Sequence, residues 1–408
     1  MNTKQSISPA LKIQITLFTL VRTSFSTANR MVYPFLSHFA RGLGVTIGDM
    51  SLALTARSLM GVLSPFFSSL ADRYNKRLGM LIGTALFTVG NGLVWIWPIF
   101  PVFVAALSIS FLGVFIFVAS TQAYMGDEVA YEQRGSMMAI VEFNWSLAFI
   151  AGVPLVGLLI AAKGWLAPFP LLTILGIVSL VAIIRIVPGG SKNENQAIGL
   201  KQNIGIIVHS KSAMAALAMA MAVTTGNEIV NLMFGVWLED SYQLQIAALG
   251  AASIVIGCAE MLGEGVTAFV VDKAGKKRTV AITLILNMVV ALIMPWIAHS
   301  VTGALIGLFL FYLSFETMIV SSLPIMTEIL PSARATLMGL SVAAFSLGRA
   351  IGAAVAPLLY TFGFRANTMA TFAMNLIAFY MLTRIQVSDK KAVTLPEDSS
   401  QQQKNELS

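Results

Sequence analysis

Long unbroken apolar stretches recur from one end of this chain to the other, and they decide what it can fold into. A bilayer-crossing helix needs roughly 17–25 predominantly apolar residues. Twelve such runs can be counted, centred near Ser24, Leu59, Gly90, Phe111, Ala148, Ile177, Thr225, Cys258, Asn287, Ser314, Gly348 and Asn375. Hydrophobic residues make up 57% of the 408 positions and charged residues 11%. Soluble domains carry about 25% charged residues, so a soluble globular fold is excluded. The expected fold class is an all-α integral membrane protein. The single cysteine, Cys258, lies inside an apolar run, which leaves no disulfide framework and no thiolate metal site. The N-terminal residues show no cleavable signal pattern and lead into the first span.

The breaks between runs are short, as antiparallel neighbouring helices require. Two polar stretches stand out: residues 188–210 at the middle of the chain, and the tail from 387, rich in Gln and Ser. They divide the chain into a first six-helix bundle (1–187), a linker (188–210), a second six-helix bundle (211–386) and a tail (387–408) expected to be disordered. The net charge of +7 is no sign of nucleic acid. With the N-terminus inside, eighteen Lys and Arg fall in the segments on one side, and only Arg41, Lys163 and Arg365 on the other. Bases collect on the cytoplasmic side, so both termini and the linker are expected there, in a multi-pass protein of the plasma membrane, or of the inner membrane if the source is bacterial.

One inner loop carries more charge than its length suggests. The sequence SSLADRYNKRLG, residues 68–79, places Asp72, Arg73, Lys76 and Arg77 in the break between spans two and three. Shifted by 200 positions it meets DKAGKK, so that Asp72 matches Asp272, Arg73 matches Lys273, Lys76 matches Lys276 and Arg77 matches Lys277. The same offset aligns Glu128 with Glu328, Arg134 with Arg334, and SLAFIAG with SLGRAIG. The chain therefore reads as two related halves.

The loop resembles the signature between the second and third helices of the major facilitator superfamily, G-x-x-x-D-R-x-G-R-R/K, with Ser68 and Asn75 in place of its glycines. The second copy keeps Gly275 and has Ala268 for the other glycine. GVPLVG at 152–157 resembles the fifth-helix pattern of the superfamily's antiporters, with Val153 where a glycine precedes the proline. Span four contains no base, whereas drug–proton antiporters commonly have an arginine there. The resemblance covers essentially the whole chain. It implies two pseudo-symmetric bundles, a recurrent plan among secondary transporters, and a loop whose acid docks at the N-terminus of span eleven to lock the inner gate. Two readings stay open for the bases: bracing that gate, or serving topology alone.

Nine ionisable residues lie well inside spans: Arg22, Arg30, Arg57, Glu142, Glu228, Glu260, Glu264, Glu316 and Arg349. Each charge costs roughly 2.5–3.5 kcal/mol at mid-membrane on an insertion scale, so they must face a cavity, pair, or take up protons. The first half holds three of the arginines and the second four of the glutamates. Arg22, Arg30, Arg57, Glu142, Asn144, Arg349 and Tyr33 are expected to line a substrate cavity. Glu260 and Glu264, four apart and so on one helical face, together with Glu228 and Glu316, are the candidates for proton coupling. The competing reading makes them fixed partners of the arginines. No phosphate-binding G-x-x-x-x-G-K-[ST] run occurs, and no His, Cys or Asp cluster suggests an enzyme or a metal site. The expected protein is a monomer without a cofactor, moving a small molecule with protons, most readily outward by antiport. Uptake by symport of a sugar or organic acid is the alternative, and a non-transporting sensor on the same fold a third.

Overall fold

The computed structural model describes residues 8–63, 75–129, 131–189 and 200–386, and among them every regular element is helical. Helix α1 (Pro9–Arg30) starts with Pro9 in its first turn and Ser8 accepting from the Leu11 amide. It stops at a turn around Pro34 and the chain continues as α2 (Leu36–Leu43), which ends on Gly44 in the left-handed region at φ 68°. Only a residue without a Cβ takes that conformation freely. A capping box between Thr46 and Asp49 starts α3 (Ile47–Val62). Then follow α4 (Lys76–Ile96) and α5 (Phe100–Glu128). The fifth span is composite: α6 (Tyr131–Glu142), α7 (Asn144–Leu147), a π-helical turn at Ala148–Gly152, and α8 (Val153–Lys163). The wide turn sits where Pro154 withholds the N–H that the Ile150 carbonyl would otherwise accept. Helix α9 (Pro168–Ile186) completes the first bundle.

A short helix, α10 (Leu200–His209), occupies the end of the stretch read as linker, and Asn203 donates from it to Thr336 at 3.2 Å. The second bundle is α11 (Lys211–Tyr242), α12 (Ile246–Ala274), α13 (Lys276–Ile297), α14 (Val301–Ile329), α15 (Arg334–Tyr360) and α16 (Phe364–Arg384). Nine spans among the described residues are long and apolar enough to cross a membrane. The other three expected spans correspond to α1, α3 and α16. Helix α1 carries Lys12, Arg22 and Arg30, and α3 is described for only 16 residues. In α16 the polar residues point inward: Asn367, Thr371 and Asn375 are buried, and Asn375 donates to Asn287 at 2.7 Å.

The internal repeat is visible in the contacts. Lys76 pairs with Asp127 and Lys276 with Glu328. Arg77 donates to the Ile184 carbonyl at 2.5 Å and Lys277 to the Ile385 carbonyl at 2.7 Å. In each bundle the two bases together tie the start of the third spanning helix to the ends of two neighbours in the same bundle. Asp72 and Arg73 lie outside the described residues, and Lys273 is exposed.

The bundles meet along the half of the membrane nearest the base-poor face, the one carrying Arg41, Lys163 and Arg365. Ser51 Oγ on α3 donates to the Ala353 carbonyl on α15 at 2.5 Å, and Thr55 to the Ala350 carbonyl at 3.4 Å. Gly235 on α11 lies so close to the backbone of Tyr33 and Pro34 that a Cβ would come within 2.6 Å of it. Gly157 of the GVPLVG run faces Gly250 on α12 in the same way, with 3.3 Å to its Cα. Arg41 on α2 pairs with Glu239 on α11 at 2.8 Å. Small residues thus let the two bundles approach closely, with the Phe35 ring packed beside the Gly157–Gly250 contact.

Candidate functional site

The buried charges gather where the bundles meet at mid-membrane. Arg30, at the end of α1, reaches Glu260 on α12 at 2.5 Å. The pair is nearly enclosed, with side-chain exposures of 13% and 5%. The guanidinium lies 4.2 Å from the ring centre of Phe149 and 4.7 Å from that of Trp145, both carried by the composite fifth span. A planar cation against aromatic faces, with a carboxylate at its edge, keeps its charge compensated away from water.

A second network crosses the same interface without a direct ion pair. Arg57 on α3, 2% exposed, donates to the Asn29 carbonyl at 3.1 Å and to Tyr33 Oη at 2.7 Å. Because α1 ends one residue later, that carbonyl belongs to its last turn and is open to an outside donor. The Tyr33 hydroxyl in turn donates to Glu228 at 2.9 Å, and Glu228 is completely buried on α11. Asn231 donates to the other oxygen of Glu228 at 3.3 Å and accepts from Tyr312 of α14 at 2.6 Å. A tyrosine hydroxyl, both donor and acceptor, joins the cation to the anion.

These networks border a cavity of about 200 Å³. Its polar lining is Asn29, Arg30, Tyr33, Arg57, Thr224, Asn227, Asn231, Glu260, Tyr312, Glu316 and Arg349; Phe111, Trp145, Phe149, Phe315, Ile319 and Phe345 supply the apolar walls. Of the expected cavity residues, Arg30, Arg57, Tyr33 and Arg349 are brought here. Arg22, Glu142 and Asn144 are not part of its lining. Arg22 holds Glu142 with both nitrogens, at 2.7 and 2.9 Å, while Asn144 accepts from Ser26 at 2.5 Å and packs beside them. Their own partners, a turn or more closer to the base-rich face, keep these side chains away from the centre.

Of the four candidate proton carriers, Glu260 and Glu316 line the cavity, and Glu228 sits behind Tyr33. Glu264 does not line it, although helical spacing puts it on the face of Glu260; it lies one turn further toward the base-rich side, half-buried. Asn227, Asn231 and Tyr312 were not singled out in the sequence, yet the same rule finds them. Asn227 and Asn231 flank Glu228 in TTGNEIVN, and Tyr312 lies one turn before Glu316 in an apolar helix.

An all-helical, multi-pass membrane protein, with two repeated bundles around a charged central cavity, is the architecture of a transporter rather than an enzyme. A family model described as Major Facilitator Superfamily matches residues 18–327 and 216–405, and the chain belongs to that superfamily. Its relatives include the uncharacterized MFS-type transporter YceJ of Bacillus subtilis (strain 168), 25% identical over 390 residues, which are 93% of this chain and 98% of that one. Multidrug resistance protein 2 of the same organism is 21% identical over 88% of this chain and 91% of its own. Among solved structures, a bacterial homolog of the human lysosomal transporter Spinster, in an inward-facing and unoccupied conformation, shares the fold. Its TM-score is 0.71 at 11% identity, covering 93% of this chain and 95% of that one. The fold class and family expected from the Asp-Arg loop are those found.

Proposed function

We propose that this transporter exports a small organic solute in exchange for protons, by alternating access of the central cavity to the two faces of the membrane. The observation that carries the reading is the Arg30–Glu260 ion pair, which joins the bundles at the wall of the cavity. A proton taken by Glu260 removes the Coulombic part of that link, and a link between bundles is what a rocking motion must break and remake. Glu316 on the same wall and Glu264 one turn away give a proton further places to rest. Five hydrogen bonds between described residues join the bundles from mid-membrane to the base-poor face. Those bonds fit a cavity closed on the base-poor side, opposite the base-rich side that the positive-inside rule puts in the cytoplasm.

The outward direction draws support from GVPLVG and from the relative named Multidrug resistance protein 2. Everted vesicles from a transporter-deficient host expressing the protein test it. A pH gradient, acid inside, is set up and a panel of organic solutes is added in turn. Antiport shows as solute-dependent loss of the gradient, absent with Glu260→Gln. Solute entry that needs a gradient of the opposite sense would make the protein a symporter.

A further inference from the structure

Pairing the buried charges leaves a remainder, and the remainder faces the cavity. Arg22 is taken by Glu142, Arg30 by Glu260, and Arg57 is linked through Tyr33 to Glu228. Arg349 on α15 and Glu316 on α14 both line the cavity. Neither has a hydrogen bond or an ion pair within 4.0 Å among the described residues, so the two do not neutralise each other directly. A guanidinium and a carboxyl group, each without a bonded protein partner among the described residues and both in one small cavity, suit a molecule that carries an acidic and a basic group.

The two groups stand on different helices, with different surroundings. The carbonyls on either side of Arg349 are held by different helices: Gly348 accepts from Thr225 of α11 at 3.1 Å, and Ala350 accepts from Thr55 of α3 at 3.4 Å. Those two bonds set Arg349 between the helices that carry Asn227 and Arg57. Both of these residues are more than nine-tenths buried, line the cavity, and hold a donor without a partner: Asn227 Nδ2 and Arg57 Nε. Spare donors beside a free guanidinium suit a carboxylate. Glu316 stands on α14, where Gly263 of α12 packs against its Cβ. A carboxylate there suits an amine, and the phenylalanines and Trp145 of the lining suit a ring.

Resting on the transporter reading above, we infer that the cavity takes an amphoteric organic molecule: a carboxylate toward Arg349, Asn227 and Arg57, an amine toward Glu316, and one aromatic or apolar body between them. About 200 Å³ is below the roughly 300–1,000 Å³ of drug-sized pockets, so the body is small. A simple organic cation would leave Arg349 and the spare donors unmet, and a simple anion would leave Glu316 unmet.

Two matched sets of probes test this with the full chain in nanodiscs, by calorimetric titration. Phenylalanine, phenethylamine and hydrocinnamate share a ring and differ in their charged ends; tryptophan, tryptamine and indolepropionate form a larger set. The amphoteric member of at least one set is expected to bind about tenfold more tightly than either singly charged member, the equivalent of about 1.4 kcal/mol. Arg349→Gln should remove its advantage over the amine, and Glu316→Gln its advantage over the acid. A singly charged member that binds as tightly as its amphoteric counterpart in both sets, or no binding by any of the six, overturns the inference, and neither result depends on a variant folding. Counterflow in proteoliposomes separates this from failure of the transporter reading. Amphoteric binding without counterflow would remove the transport, whereas counterflow of a simple amine alone would remove the substrate class.

Discussion

Arg30 of the first bundle and Glu260 of the second stand 2.5 Å apart, nearly out of reach of water, and join the two halves of the molecule at the edge of its central cavity. Removing one partner of such a pair leaves a buried charge uncompensated and costs about 3–5 kcal/mol, more than the pair itself contributes.

Glu260→Gln keeps a hydrogen-bond acceptor but removes the charge, so it is expected to loosen the bundles toward the base-poor face. Spin labels at residues 163 and 243, on opposite bundles, should report a longer distance population. Arg30→Gln combined with Glu260→Gln should behave more mildly than either change alone. Strict additivity of the three variants in thermal stability would remove the coupling.

Tyr33 is the hinge of the second network, because its hydroxyl is the only hydrogen-bonded link shown between Arg57 and Glu228 among the described residues. Tyr33→Phe should leave both buried groups short of a partner, at about 1–3 kcal/mol for each group left unsatisfied. A fall in melting temperature with loss of transport is the expected result. Adding Glu228→Gln should recover part of the stability, since an uncharged amide tolerates the loss better. No recovery would mean the bond to Tyr33 is incidental.

The twelve runs, the repeat at an offset of 200 and the family were legible because each is a property of spacing along one chain. Arg22 and Arg30 show where such reading stops. Eight residues apart, they share a helical face, yet one binds Glu142 within its bundle and the other crosses to Glu260. Helical periodicity gives a face and a depth but no neighbour, and the neighbour depends on how two bundles dock. Glu260 and Glu264 teach the same lesson, since one turn of depth separates a cavity wall from a position outside it. Tyr33 was visible beside a proline, but its role depends on α1 ending at Arg30, which the apolar run around it concealed.

The proposed orientation rests on the eighteen bases against three. With Cys258 replaced by serine, a cysteine at Lys201 should be labelled by an impermeant reagent only from the cytoplasmic side, and one at Lys163 only from outside. The reverse pattern would turn the molecule over in the membrane and exchange export for import.

At the base-poor rim the cap of α3 makes a pH prediction. The Thr46 hydroxyl and amide both donate to Asp49, and these bonds hold its carboxyl below the usual carboxylate range. A lowered folded-state pKa means that the cap is at full strength above the ordinary carboxylate pKa of about 3.9 and is lost as pH falls through the lowered value. Amide exchange in the first turn of α3 should therefore show less protection against pH-corrected opening at strongly acidic pH. Asp49→Asn should flatten that dependence, and an unchanged slope would assign it elsewhere.

The bases of the repeated loop give the last prediction. Lys76, Arg77, Lys276 and Lys277 each contact another element of their own bundle, and their partners repeat from one half to the other. That arrangement staples the start of each third helix to its neighbours, and among the described residues these bonds stay within one bundle. For Lys276 and Glu328, each 37% exposed, solvent screening keeps the pair within about 0–1 kcal/mol. Lys276→Met is thus expected to lower the melting temperature slightly, leave the orientation unchanged because seventeen bases remain on that side, and leave inter-bundle distances at the base-rich face as they were. Distances that shift toward a more open face, with stability unaltered, would instead make this lysine part of the gate.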